Sequence, residues 1–254
     1  MAHTDIIFDL YGTLVDIHTE ENEEVWSKTA LYFRYHGADY STAELKEGFN
    51  KILKAREAKS GQSYECFPDI PFESIMEELF LKKDVCKNAE VLSVSAAQLF
   101  RICSTEYIKL YPNVKEALQL LRDKGCRLWL LSNAQRIFTE YELRALGLLE
   151  EFDGVYISSD FGFRKPDIRF FEALIEKEQL DKNACLMVGN DRETDIAGAK
   201  NAGLATIYMH TNLTPPHQEK ADLRLLPRSA PKGTRHFEFE GEDILKLSNL
   251  IIKL

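Results

Sequence analysis

Ile6-Ile7-Phe8-Asp9-Leu10-Tyr11-Gly12-Thr13-Leu14-Val15 decides how this chain is read. An apolar run ends in a carboxylate and then breaks into a Gly-Thr turn. Such a run reads as a buried parallel strand. In open α/β sheets the reactive groups sit at the carboxyl ends of strands. Asp9 therefore stands where a nucleophile would be. Two residues on, where a second carboxylate would serve as a proton donor, the chain has Tyr11.

Downstream of this strand the pattern changes twice. Helical periodicity runs from about residue 19 to 107, with helices expected over 20–35, 41–59, 72–82 and 91–109. From Tyr111-Pro112-Asn113 onward, strands and helices alternate. Strands are expected over 127–132, 155–158, 185–190 and 206–209, and helices over 114–124, 135–146, 168–178 and 193–202. A last strand over 236–240 and a helix over 242–253 close the chain. Alternation of this kind predicts a parallel sheet with helices on both faces. A lone N-terminal strand needs a sheet to join. The expectation is thus an α/β fold whose core is split, residues 1–15 with 111–254. An all-helical block over 16–110 is inserted after the first strand. Residues 214–234 hold four prolines and several basic side chains and read as a surface loop.

Composition narrows the function classes. The 254 residues are 44% hydrophobic and 29% charged, as in an ordinary globular protein. A net charge of −9 disfavours nucleic acid or an anionic membrane as the main partner. It does not exclude a small anionic substrate in a locally basic pocket. No apolar run is long enough to cross a membrane, and the N-terminus enters the first strand without a leader, so a cytoplasmic protein is expected. Cys66, Cys86, Cys103, Cys126 and Cys185 are scattered without C-x-x-C spacing and read as reduced thiols.

Four groups end four of the expected strands: Asp9 with Tyr11, Gly12 and Thr13; Ser132-Asn133; Lys165; and Gly189-Asn190-Asp191 with Asp195. A hydroxyl at a strand end is commonly a helix cap, and a Gly-Asn-Asp cluster commonly a turn. All four at successive strand ends make sense as an anion-processing site. Asp9 can attack an electrophile and form a covalent intermediate. Ser132 and neighbouring backbone N–H groups can bind the anion, and Lys165 can neutralise it. Asp191 and Asp195 can join Asp9 around a hard cation; Mg²⁺ takes a few carboxylates plus waters and substrate oxygens.

These residues resemble the motifs of the haloacid dehalogenase superfamily. Asp9-Leu10-Tyr11-Gly12-Thr13 resembles its first motif, D-x-D-G-T, with Tyr11 as the departure. Ser132-Asn133 resembles the second, Lys165-Pro166-Asp167 the third and Gly189 to Asp195 the fourth, with Asn190 read as an extra residue. The resemblance implies a Rossmann-like core with a helical cap that selects substrate. It implies Asp9 as nucleophile, Thr13 and Ser132 on the anion's oxygens, and Tyr11 giving its backbone carbonyl to the metal.

Tyr11 divides the activities. Family phosphatases use an aspartate there as general acid and base, whereas 2-haloacid dehalogenases carry D-x-Y-G-T, and a halide leaves without a proton. The fourth motif points the other way, because the dehalogenases are metal-independent and lack its carboxylate pair. The favoured expectation is a Mg²⁺-dependent phosphatase acting on a small phosphorylated metabolite through an aspartyl-phosphate. The alternatives are a 2-haloacid dehalogenase and a weakly catalytic binding protein.

Overall fold

Strand β1 (Asp5–Phe8) is the middle of a six-stranded parallel sheet in the computed structural model, which describes residues 3–60, 67–218 and 235–254. Its neighbours are β4 (Arg127–Ser132) and β6 (Cys185–Gly189). The full order is β5 (Gly154–Ile157), β4, β1, β6, β7 (Ala205–His210), β8 (His236–Glu240). Ile6 lies level with Leu128 on one side and Leu186 on the other.

Successive strand residues face opposite sides of a sheet, and both sides of this one are covered. Ile6, Phe8, Leu130 and Val188 pack under α5 (Val114–Asp123) and α9 (Ile244–Lys253). Ile7, Trp129, Leu131 and Met187 pack under α7 (Ile168–Lys177) and α8 (Ala197–Asn201). This is why the strands read as continuous apolar runs instead of alternating ones. Helix α6 (Arg136–Leu146) follows β4.

Helix α8 approaches the loop before α7 closely. A Cβ on Gly198 would lie 2.5 Å from Phe171 Cε2 and 3.0 Å from the Pro166 Cα. Gly198→Ala is therefore expected to destabilise the protein by about 1–3 kcal/mol, the usual range for overpacking, read as a lowered midpoint in urea.

Between β1 and β4 lie helices α1 (Glu23–Tyr35), α2 (Thr42–Ser60), α3 (Phe72–Leu81) and α4 (Ala89–Ser104). They bury their own core, in which the Phe33 and Phe80 rings stack with centroids 3.9 Å apart and Trp26 packs edge-on to Phe100. The aromatic residues Trp26 and Phe33 thus serve packing. Helix α1 begins after Asn22, whose side chain accepts from the Glu24 and Val25 N–H groups at 3.0 and 3.2 Å.

The sequence periodicity carries the fourth of these helices to residue 109, but the structure ends it at Ser104. The hydroxyls of Ser104 and Thr105 both bond back to the Arg101 carbonyl, and the chain turns extended. Residues Thr105–Leu110 then form β3, antiparallel to β2 (Val15–Thr19), a strand the sequence reading did not anticipate. This ribbon joins the helical insert to the sheet. Asp16 on β2 is buried and held by Asn212, Tyr107 and Lys109.

Most of the loop expected over 214–234 lies outside the described residues, as does Cys66. Among the described residues, no helix is long and apolar enough to cross a membrane.

Candidate active site

Because β4, β1 and β6 are neighbours, their carboxyl ends bring together three of the four groups. Asp9 follows β1 directly, its N–H donating to Val188 O at 3.0 Å. The chain then folds back, with Leu14 and Val15 N–H groups both reaching Leu10 O. Gly12 sits in the left-handed region at φ 83°, and a Cβ there would lie 2.3 Å from the Asn190 amide nitrogen. Glycine is needed for both reasons. The turn brings the Thr13 hydroxyl to 3.3 Å from Asp9 Oδ2 and from Asn190 Oδ1.

Lys165 closes the group from the loop before α7. Its Nζ donates to Asp9 Oδ1, Asp195 Oδ1 and the Leu131 carbonyl, each at 2.7 Å, so all three ammonium protons are used. The side chain is 1% exposed. Burial opposes the charge, but Asp195 and Asp9 outweigh it and hold the ammonium above its ordinary value. Burial pushes the Asp195 carboxyl upward against the pull of Lys165, and Asp9 adds to the rise. Asn133 holds this loop, accepting from the Lys165 N–H at 2.8 Å and donating to its carbonyl at 2.9 Å. Ser132 Oγ, at the end of β4, is buried and has no hydrogen-bond partner among the described residues.

The fourth group is arranged differently from the sequence expectation. The sequence pattern puts Asp191 with Asp195 and Asp9 around a cation, with Asn190 as an extra residue. In the structure Asn190 is buried and faces Thr13, while Asp191 Oδ1 accepts from the Glu193 and Thr194 N–H groups at 2.8 and 3.0 Å. Asp191 caps the π turn Arg192–Ile196. A strand that ends at Gly189 leaves the next residue pointing inward and the one after it free to cap. Gln218 secures the turn, accepting from the Arg192 N–H at 2.7 Å and donating to Asp191 at 3.1 Å. Nothing in the sequence pattern marks Gln218.

Tyr11 reaches away from this cluster. Its phenol donates to Glu142, and its oxygen lies 2.9 Å from the Thr139 hydroxyl, both on α6. Arg101, from α4 of the insert, donates through Nε to Glu142 Oε1 at 2.6 Å. Its guanidinium lies 5.6 Å from the Tyr11 ring centroid and 5.5 Å from that of Phe138. Burial, reinforced by Glu142, pushes the phenol far above its ordinary value. Thr139, Glu142 and Arg101 were not singled out in the sequence. The i, i+3 spacing of Thr139 and Glu142 puts them on one helix face, but no sequence pattern says what that face meets.

A second contact joins insert and sheet. Asp69 is buried and accepts from Ser158 Oγ at 2.5 Å and Gln135 Nε2 at 2.7 Å. Burial raises its carboxyl above the usual range.

A family model for haloacid dehalogenase-like hydrolases matches residues 6–203, which include Asp9, Thr13, Ser132, Lys165, Asn190 and Asp195. The chain is a haloacid dehalogenase-like hydrolase. The hydrolase is 35% identical over 210 residues to a glyceraldehyde 3-phosphate phosphatase of Methanothermobacter thermautotrophicus, covering 82% of this chain and 86% of that one. It is 30% identical over 125 residues to a ribulose-1,5-bisphosphate 5-phosphatase of Halopiger xanaduensis, covering 49% and 52% of the two chains. Its fold is shared with the 2-haloacid dehalogenase of Pseudomonas syringae, with a TM-score of 0.64, 20% identity and 99% of both chains covered.

Proposed function

We propose that the hydrolase is a phosphatase acting on a small phosphorylated metabolite through an aspartyl-phosphate on Asp9. The buried, unpartnered hydroxyl of Ser132 carries this reading. A buried hydroxyl without a partner costs free energy unless a ligand satisfies it, and this one stands beside the carboxylate–lysine cluster where a phosphoryl oxygen would be received. The long similarity to a phosphatase supports the same reading.

Asp9 attacks phosphorus, and the bond to the leaving oxygen breaks with its electron pair going to the leaving group. Water then attacks the aspartyl-phosphate. The phosphorus–Asp9 bond breaks, the carboxylate is regenerated and a water proton passes to the released phosphate. Lys165 holds one Asp9 oxygen throughout and fixes its direction, which places the nucleophile before substrate arrives. Thr13 and Ser132 receive phosphoryl oxygens. Asn133 keeps Lys165 in place through its two backbone bonds. The helical insert, residues 16–110, is the cap, and residues 1–15 with 111–254 are the catalytic core.

The oxygen donors suit Mg²⁺, which needs only one or two carboxylates besides waters and substrate oxygens. Among the described residues, no three His, Cys, Asp or Glu side chains are grouped as a metal site. The ion would be held by Asp9, the Tyr11 backbone carbonyl and the Asn190 amide oxygen, while Asp195 is engaged by Lys165 and Asp191 by the Glu193 and Thr194 N–H groups of the turn it caps. Mg²⁺ would neutralise phosphoryl charge and orient it towards Asp9.

The test is phosphate release from acetyl phosphate and p-nitrophenyl phosphate, with Mg²⁺ and with EDTA. Release that EDTA suppresses and Mg²⁺ restores is the expected result. Equal release in EDTA would overturn the metal assignment. Tyr11 and the neutral Asn190 favour a second reading, halide displacement by Asp9. Chloride release from 2-chloropropionate with no phosphate release would establish that reading instead.

A further inference from the structure

The phosphatase reading leaves open how the leaving group is released, and the surroundings of Tyr11 bear on it. An alkoxide leaving group needs a proton as it departs. The Ser132 hydroxyl is unpartnered but is taken up by a phosphoryl oxygen in this reading, and the other side chains gathered at Asp9 are engaged elsewhere. Lys165 spends its three on Asp9, Asp195 and Leu131 O. Thr13 lies against Asp9 and Asn190. Asp195 accepts from Lys165 and from the Asp191 N–H at 3.0 Å.

The remaining candidate is the Tyr11 phenol, two residues from the nucleophile. It is turned onto α6, where Glu142 takes its proton in a hydrogen bond and Thr139 lies beside its oxygen. Glu142 is itself fixed, because Arg101 grips both of its oxygens, Nε to Oε1 at 2.6 Å and a terminal nitrogen to Oε2 at 3.2 Å. The Glu142 and Arg101 side chains are 13% and 21% exposed, so water competes little for either. Ion pairing, a charge-assisted hydrogen bond and a cation–π contact from Arg101 all hold the phenol in one orientation.

We propose that Glu142 and Arg101 are positioning residues that keep the Tyr11 phenol out of proton transfer, making the site selective for phosphoryl donors whose leaving groups depart as stable anions, acyl phosphates and activated aryl phosphates foremost. For an acyl phosphate the step is balanced without any acid. Asp9 bonds to phosphorus, the phosphorus–acyl oxygen bond breaks, and its electron pair leaves on a carboxylate. Alkyl phosphates lack that outlet. A positioned acid is worth roughly 10²–10⁴-fold, and its absence falls on them. Arg101 comes from α4 and Glu142 from α6, so the restraint is complete only when the insert is seated on the sheet domain.

The proposal rests on the phosphatase reading and fails separately from it. The experiment measures kcat and kcat/KM with Mg²⁺ for acetyl phosphate, p-nitrophenyl phosphate, phenyl phosphate and glycerol phosphate. The ratio kcat/KM reports formation of the aspartyl-phosphate and is expected to fall about 10²-fold or more from acetyl to glycerol phosphate. The kcat values are expected to converge wherever hydrolysis of the common intermediate limits. Tyr11→Phe is expected to keep the wild-type dependence on leaving group. Glu142→Ala frees the phenol and is expected to raise glycerol phosphate relative to acetyl phosphate, whereas a purely structural role would lower all substrates alike. Tyr11→Asp is expected to narrow the span and to add a new ionisation to the pH profile of kcat/KM.

Equal efficiency on acyl and alkyl phosphates in the wild type would overturn the proposal and leave the phosphatase reading standing. So would a Tyr11→Phe variant that loses glycerol phosphate selectively, because the phenol would then be the acid. Failure to release phosphate from any of the four would overturn both.

Discussion

Asp9→Asn is expected to abolish phosphate release, by on the order of 10⁴-fold or more, as loss of a covalent nucleophile does in other hydrolases. The substitution preserves shape. An amide oxygen can still accept from Lys165, and Thr13 keeps a neighbour, so the folded structure is expected to survive with its circular dichroism unchanged. What disappears is the negative oxygen that forms the bond to phosphorus. Mass spectrometry of protein quenched in acid during turnover supplies an independent reading. The wild type is expected to carry one added phosphoryl group and Asp9→Asn none. Residual turnover within tenfold of wild type would mean that Asp9 is not the nucleophile.

Lys165→Met is expected to damage stability as well as activity. Lys165 lies between two buried carboxylates and satisfies both. Removing one partner from such a group typically costs about 3–5 kcal/mol, because the remaining charges stay buried without compensation. Against a total stability of about 5–15 kcal/mol, the variant remains folded but with a clearly lower denaturation midpoint. The deficit has a definite pH dependence. Without the ammonium, burial and repulsion from Asp9 hold the Asp195 carboxyl still further above its unfolded value, the direction in which both already act in the wild type. The folded variant then binds more protons than the unfolded chain. Its stability therefore falls as pH rises between the unfolded and folded pKa values, and recovers as pH is lowered through them. Urea melts of both proteins across this range should show the gap narrowing towards acid. A gap constant with pH would mean that lost packing, not unpaired charge, is the damage.

The legible parts of this protein are those where one physical rule acts alone. Ile6-Ile7-Phe8 reads as a doubly covered strand because each residue is buried whichever face it takes. The alternation after Tyr111 likewise reads directly as a parallel sheet. Legibility ends where two rules compete. Residues 105–109 continue a plausible helical pattern, yet two hydroxyls that satisfy the Arg101 carbonyl and a pairing partner ninety residues earlier make them a strand. In the site, Asp9 and Ser132 are legible because strand ends collect reactive groups, whereas Lys165, expected at a strand end, comes from the loop between β5 and α7. Asn190 and Asp191 differ by one position, and only the direction in which β6 releases the chain decides which faces inward. The Tyr11–Glu142–Arg101 contact draws on three distant segments, none carrying a local signature.

The central place of β1 has a consequence for how the protein is made. The strand leaves the ribosome before the strands that flank it, β4 and β6, which follow the entire helical insert. At a synthesis rate of about 5–20 residues per second, the nucleophile's strand waits on the order of ten seconds or more for its second neighbour. During that interval the insert, whose aromatic core is drawn from its own four helices, already has all it needs to collapse. Order of manufacture and order of assembly thus run in opposite directions: the accessory region can be finished while Ile6, Ile7 and Phe8 remain an uncovered apolar segment for the cell's chaperones to shield.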